Sequence, residues 1–156
     1  MEIQEKHIPD NKLAIINYKG PIEDMDVLLA KLMGWIEEEE ITVEGQPFII
    51  YYSPRHEVGN GEDVVYDVGI VLGEDEDPDK TELIRIVDLF EHNVLAGIHK
   101  GPTDSIMDTY EKIVNYATSN SYDIIGSPTE VLIKGKYNEN NKDNYITEIR
   151  VPIIKI

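Results

Sequence analysis

The sequence predicts an antiparallel α+β fold built from two copies of one β-α-β-β unit. Three observations carry this: an internal repeat at a constant offset, one amphipathic helical stretch per copy, and strands that alternate apolar and polar side chains. Lys19-Gly20-Pro21 recurs as Lys100-Gly101-Pro102, and Gly45-Gln46-Pro47 recurs as Gly126-Ser127-Pro128, both at an offset of 81 (100 − 19 and 126 − 45). The same offset pairs Ile3 with Ile84, Lys31 with Lys112, Trp35 with Tyr116 and Asn60 with Asn141. It divides one domain, 1–156, into a first repeat, 1–75, a linker, 76–81, and a second repeat, 82–156.

Each copy reads in the same order. A leading strand is expected at Ile3 to Ile8 and again at Ile84 to Leu89. The apolar runs Leu13 to Tyr18 and Val94 to His99 are strands stopped by Lys-Gly-Pro, where glycine permits unusual backbone angles and proline suits the first turn of a helix. In the helix that follows, Met25, Leu28, Leu29, Leu32, Trp35 and Ile36 share one face; in its counterpart Ile106, Tyr110, Ile113, Val114 and Ala117 do so. Glu37 to Glu40 is poorly placed against a negative helix C-terminus and is expected to be solvated. The Gly-x-Pro turns lead into the strands Phe48 to Tyr52 and Thr129 to Ile133.

Long last strands close each copy. Val64, Tyr66, Val68, Ile70 and Leu72 share one face, as do Tyr145, Thr147, Ile149, Val151 and Ile153, and the helices should cover that face. Asp67 and Glu148, which the offset pairs, then project from the opposite face. The run from Gly73 to Asp79 is too charged to pack and joins the copies.

Composition narrows the function. Thirty-one acids against 14 bases give a net charge of −17, with three arginines and eleven scattered lysines to build a basic face, so direct nucleic-acid binding is excluded. Absence of cysteine removes disulfides, thiolate metal sites and thiol nucleophiles. No apolar run has signal-peptide or membrane-spanning length, which reads as a cytoplasmic protein without a membrane role. His92 and His99 lie seven apart, an odd separation that sends them to opposite strand faces, while His7 and His56 belong to other segments, so no metal site is expected. Ser53 lacks a nucleophile-elbow context, and neither Lys-Gly-Pro has phosphate-loop glycine spacing.

Two such copies can set both helices on one side of a shared sheet and leave a ligand cleft along the pseudo-twofold seam. A buried Glu148 there would keep its charge only beside a hydrogen-bond donor or a cation, and an organic cation fits that need. Trp35, Tyr51, Tyr116 and Tyr145 are the aromatics that could add cation–π attraction, although each taken singly reads better as core, and Asp67 is the second candidate acid.

The duplicated pattern, with His99-Lys100-Gly101-Pro102 and the terminal Thr147-Glu148-Ile149-Arg150-Val151-Pro152-Ile153, resembles the GyrI-like small-molecule-binding domain. That module is also the effector-binding domain of multidrug-responsive transcription activators of the MerR and AraC classes. The resemblance covers essentially the whole chain and implies duplicated SHS2-type units. It carries the cleft glutamate over to Glu148; aromatic partners vary among relatives and none is carried over. No helix-turn-helix region precedes the module, so the resemblance implies a stand-alone member. The implied function is binding of hydrophobic, often cationic, small molecules with no cofactor. Two alternatives come from the same resemblance: hydrolysis of electrophilic small molecules with Glu148 as general base, and interaction with a protein partner such as a topoisomerase or a separate regulator. A haem-binding reading, from the similar duplicated fold of the SOUL proteins, finds no evident histidine ligand pair.

Overall fold

Residues 2–156 are described by the computed structural model, and their two units cut across the sequence repeats. In chain order the elements are β1 (Gln4–Ile8), β2 (Asn11–Gly20), α1 (Met25–Glu38), β3 (Val43–Tyr51), β4 (Val64–Leu72), β5 (Arg85–Leu89), β6 (His92–Lys100), α2 (Ile106–Ser119), β7 (Tyr122–Ile124), β8 (Thr129–Lys134) and β9 (Ile146–Lys155). One unit comprises residues 10–90, with strand order β3-β4-β2-β5 and α1; the other comprises residues 1–9 and 91–156, with strand order β1-β6-β9-β8, β7 on β9, and α2.

The leading strands are exchanged. β1, from the first repeat, pairs antiparallel with β6 of the second, with Gln4 opposite Ala96. β5, from the second repeat, pairs with β2 of the first, with Arg85 opposite Ile15. The offset of 81 superposes the two registers, and it likewise carries Asn17 opposite Asp67 in β2–β4 onto Ile98 opposite Glu148 in β6–β9. The duplication is therefore kept at the level of individual hydrogen-bonded pairs, while chain connectivity sends each leading strand into the other copy's sheet.

In the unit of residues 10–90, Leu28, Leu29, Leu32 and Ile36 of α1 are buried, as are Ala14, Ile16, Ile49, Val68 and Ile70, which alternation places on one sheet face. In the other unit Ile106, Tyr110, Ile113 and Ala117 of α2 pack with Leu95, Ile149, Val151 and Ile153. Val114, read from the sequence as part of that stripe, is 44% exposed because it lies at the stripe's edge, and Thr109 takes a buried place instead. Glu37 to Glu40 are exposed, as their position at the end of α1 requires.

The first Gly-x-Pro motif departs from the expected turn and the second keeps it. In the first copy the chain stays in β3 through Gly45-Gln46-Pro47, with a register shift between Glu44 and Phe48 and Gly45 at φ 73°. In the second copy the same motif separates β7 from β8, and Ile124 opposite Ile153 is the offset counterpart of Val43 opposite Leu72. Lys-Gly-Pro ends each strand as expected, but its two glycines answer different needs. Gly101 has φ 97°, whereas a side chain at Gly20 would collide with the ring of Tyr18.

A polar group ties each helix entry to the strand before it. Tyr18 donates its hydroxyl to Asp24. Its offset counterpart His99, buried, lies 2.8 Å from the Pro102 carbonyl through Nε2, which must therefore be the donor, and 2.9 Å from the Thr109 hydroxyl through Nδ1.

The two cores differ at one pair of positions. Leu29 and Ile49 are buried apolar residues in one unit; their counterparts are Tyr110 and Glu130, 7% and 2% exposed, with the tyrosine hydroxyl 2.5 Å from Glu130 Oε2. Removing the donor alone leaves a buried carboxylate short of a hydrogen bond, whereas replacing both groups by apolar ones of similar size does not. Tyr110→Phe is expected to cost about 1–3 kcal/mol, and the double variant Tyr110→Phe/Glu130→Leu to recover most of that loss, as read by denaturant unfolding. A double variant less stable than the single one would show that Glu130 is needed for itself.

Candidate functional site

β9 alternates strictly, so Ile146, Glu148, Arg150 and Pro152 share the face opposite the one α2 covers. Through the β6 register, Ala96 and Ile98 stand on that same face, and through β1 so do Gln4 and Lys6. These side chains surround a depression of about 540 Å³ lined by Glu2, Gln4, Lys6, Ala96, Ile98, Lys100 and Glu148. The small side chain of Ala96, at the centre of β6, leaves room in the depression.

Glu148 is 5% exposed, yet both its oxygens are engaged by cations. Lys6 donates from Nζ to Oε2 at 2.7 Å, and Arg150 donates from Nε to Oε1 at 2.6 Å. The two contacts differ in origin. Arg150 sits two residues away on the same strand, so alternation alone brings it to the same face. Lys6 comes from β1, and because β6 lies between β1 and β9, its bond to Glu148 crosses a whole strand. Burial pushes the Glu148 carboxyl upward, but the hydrogen bonds and charges of Lys6 and Arg150 outweigh it and hold the group below the ordinary carboxylate value.

Asp67 occupies the equivalent place in the other unit and is 4% exposed. Its partners are neutral: Asn17 donates from Nδ2 to Oδ1 at 2.8 Å, and Tyr52 donates its hydroxyl to Oδ2 at 2.6 Å. The Tyr52 phenol is raised far above its usual value, first by burial and then by that hydrogen bond, so it remains a neutral donor. Where Glu148 has Arg150 two residues on, Asp67 has Gly69, and a side chain there would meet the ring of Phe48 and the side chain of Ile15. Lys6 corresponds by offset to Val87, Asn17 to Ile98 and Tyr52 to Ile133. The two acids are thus equivalent in position and differ in every polar partner.

The aromatics read from the sequence as cleft walls stand elsewhere in their units. Tyr51 is opposite Tyr66, on the face away from Asp67; it is buried against that ring, with the Arg55 guanidinium 4.6 Å from its own centroid. Trp35 is half-buried on α1, the helix that packs on β2 and β4. Tyr116 stacks on Tyr122 at 6.5 Å, on the α2 side of its sheet, away from Glu148. Tyr145 precedes β9 with the parity of Thr147 and Ile149, and its carbonyl accepts from Gly101 N–H at 2.8 Å. Alternation explains the two strand positions: Tyr51, opposite Tyr66, and Tyr145, an odd number of residues before Glu148, take the face away from the acid, while Trp35 and Tyr116 belong to the helices. Lys6, Arg150, Asn17 and Tyr52 are the polar neighbours that sequence reading missed. Among the described residues no group of three His, Asp or Glu side chains is placed to hold a metal ion, and no helix is long and apolar enough to cross a membrane.

Because Glu148 is held ionised in the folded chain, its pairing stabilises the protein above the ordinary carboxylate range, and that contribution is lost as pH falls through its depressed value. Glu148→Gln should lower the melting temperature at neutral pH, and the gap from the parent should narrow between about pH 7 and about pH 3. A gap that stays constant with pH would show that the charge is not what stabilises.

Comparison with known proteins places this geometry in a family. The C-terminal domain of EcmrR superposes with a TM-score of 0.83 at 19% identity, over 99% of this chain and 98% of that one. In the EcmrR–DNA complex the TM-score is 0.82, and this chain spans 58% of the longer EcmrR chain. A hydrolase encoded by lin2189 from Listeria innocua gives 0.74 at 12% identity over 98% and 92% of the two chains. SAV2435, bound to tetraphenylphosphonium, gives 0.57 at 15% identity over 99% and 94%. At these identities the likeness establishes the fold. No curated protein sequence matches the chain. The GyrI-like small-molecule-binding domain matches residues 1–154, essentially the whole length, and the chain belongs to that family.

Proposed function

We propose that this chain is a cytoplasmic receptor for hydrophobic, cationic small molecules, which it binds at the Glu148 depression. The observation that carries the reading is a nearly buried carboxylate kept ionised at an open cavity with Ala96 and Ile98 in its lining. Such a group is a counter-ion in waiting: it has already been desolvated, so a ligand cation that reaches it gains a charge-assisted contact without the full cost of burying the acid. Apolar ligand surface can rest on Ala96, Ile98 and the stems of the surrounding long side chains. A neighbour of the same fold carrying tetraphenylphosphonium and another in complex with DNA as part of a regulator are consistent with a receptor whose output passes to a partner protein.

The geometry favours binding over base catalysis. A general base works best with its pKa near the working pH, whereas Lys6 and Arg150 hold Glu148 down and occupy both oxygens. The hydroxyls of Tyr110 and Tyr122 stand on the α2 side of the sheet, bonded to Glu130 and Glu5, and do not face Glu148.

Isothermal titration with tetraphenylphosphonium chloride tests the reading. The parent is expected to bind and to show a melting temperature that rises with ligand concentration. Glu148→Gln should weaken binding by about tenfold or more while the circular dichroism spectrum is kept. Equal binding by the variant would remove Glu148 from the site.

A further inference from the structure

We infer that Lys6 is a tethered competitor for the ligand: its ammonium occupies Glu148 in the empty site, a ligand cation must displace it, and Lys6 thereby sets the affinity and selectivity of the depression. The inference rests on the Glu148 reading above and adds a residue that composition, motif and family do not single out.

Three observations support it. Lys6 and Arg150 both contact Glu148 but are not equally replaceable. Arg150 pairs with a residue two positions away on its own strand and is 32% exposed, whereas the Lys6 side chain reaches across β6 from an edge strand and is 39% exposed. Extended, half-exposed lysines surrender much rotamer freedom in such a pair, so release returns entropy and rehydrates the ammonium. Lys6 also lines the depression together with Glu148, whereas Arg150 is not part of that lining. A ligand that enters the space therefore meets Lys6 before it can pair with Oε2. Finally, the equivalent acid has no such competitor, since Val87 stands where Lys6 would be and Asp67 is held by Asn17 and Tyr52.

Displacement has a consequence for ligand class. With Lys6 and Arg150 both in place, the cluster of Glu148, Lys6 and Arg150 carries one excess positive charge. A cation gains from the site only if it replaces Lys6 rather than joining it. Once released, the ammonium is free to meet an acidic group on the same ligand. The preferred class is an organic cation with an apolar body, and a ligand that also bears an anionic or strongly accepting group is favoured over a simple cation because it satisfies the displaced lysine.

Titrations with tetraphenylphosphonium chloride on the full chain test this with three variants. Lys6→Gln is expected to bind about tenfold tighter than the parent, and Lys100→Gln to change affinity by no more than about twofold. Both remove one positive charge from the same depression, but Lys100 has no contact with Glu148. Equal gains in the two variants would reduce the effect to general electrostatics and overturn the inference. Unchanged or weaker binding by Lys6→Gln, with binding by the parent still abolished in Glu148→Gln, would overturn the tethered competitor and leave the Glu148 site standing. Binding unaffected by Glu148→Gln would overturn both. Lys6→Arg, which keeps the charge and the reach, should bind no tighter than the parent; a gain there comparable to that of Lys6→Gln would show that lysine packing, not competition for the carboxylate, sets the affinity.

Discussion

Pairing of each leading strand with the other repeat's sheet is the constraint on which the remaining features depend. β1 lies beside β6 although about ninety residues of chain separate them, and β5 lies beside β2. Neither repeat can complete its own sheet from its own residues, so both must be present before either unit has its edge strand covered. The exchange also supplies the site. Lys6 belongs to the first repeat and Glu148 to the second, and the ion pair between them exists only because β1 crosses over.

Within that frame the two copies diverge in chemistry while keeping their registers. Leu29 and Ile49 become Tyr110 and Glu130 on the helix side, where a hydrogen bond replaces an apolar contact at little net gain. On the opposite side Asn17 and Tyr52 solvate Asp67 with neutral donors, while Ile98 and Ile133 stand at the matching positions beside Glu148. Replacing neutral donors by Lys6 and Arg150 changes what the acid can do. Asp67 is held by neutral donors, whereas Glu148 is held by two cations, one of which a ligand cation would replace on the proposed reading.

The fold was legible because its signals are local. Alternation in Val64–Leu72 and Ile146–Lys155 identifies the face on which Asp67 and Glu148 stand, and three- and four-residue spacing identifies the stripes that α1 and α2 bury. Arg150 was legible by the same rule, two residues beyond Glu148 on the same strand, although it was read only as part of a motif. Lys6 was not legible, because its partner is 142 positions away and depends on a strand exchange that no local pattern encodes. β7 was missed because three residues are too few to show a period. Glu130 was read as an ordinary strand member; an acid in a strand announces its face by parity, and Glu130 has the parity of the buried face, opposite Ile149. Which aromatics surround an acid depends on pairing between distant segments, so the places of Tyr51, Trp35, Tyr116 and Tyr145 were not legible from residue type alone.

The chain's acidity and the site's charge have opposite signs, and distance decides which of them governs a ligand. Across the whole molecule the net charge is −17, a field that draws cations toward the surface. At physiological ionic strength that field decays within about 8 Å of its sources, so it influences encounter more than the bound state. Lys6 and Lys100 line the depression with Glu148 and Glu2, and the 2.6–2.7 Å contacts of Lys6 and Arg150 with the nearly buried Glu148 are screened less than charges on the open surface. On the proposed reading, an acidic protein collects cations broadly while admitting few of them, since admission would require breaking the Lys6 contact. Selectivity would then reside in two side chains, with the surplus of carboxylates elsewhere on the chain acting on approach.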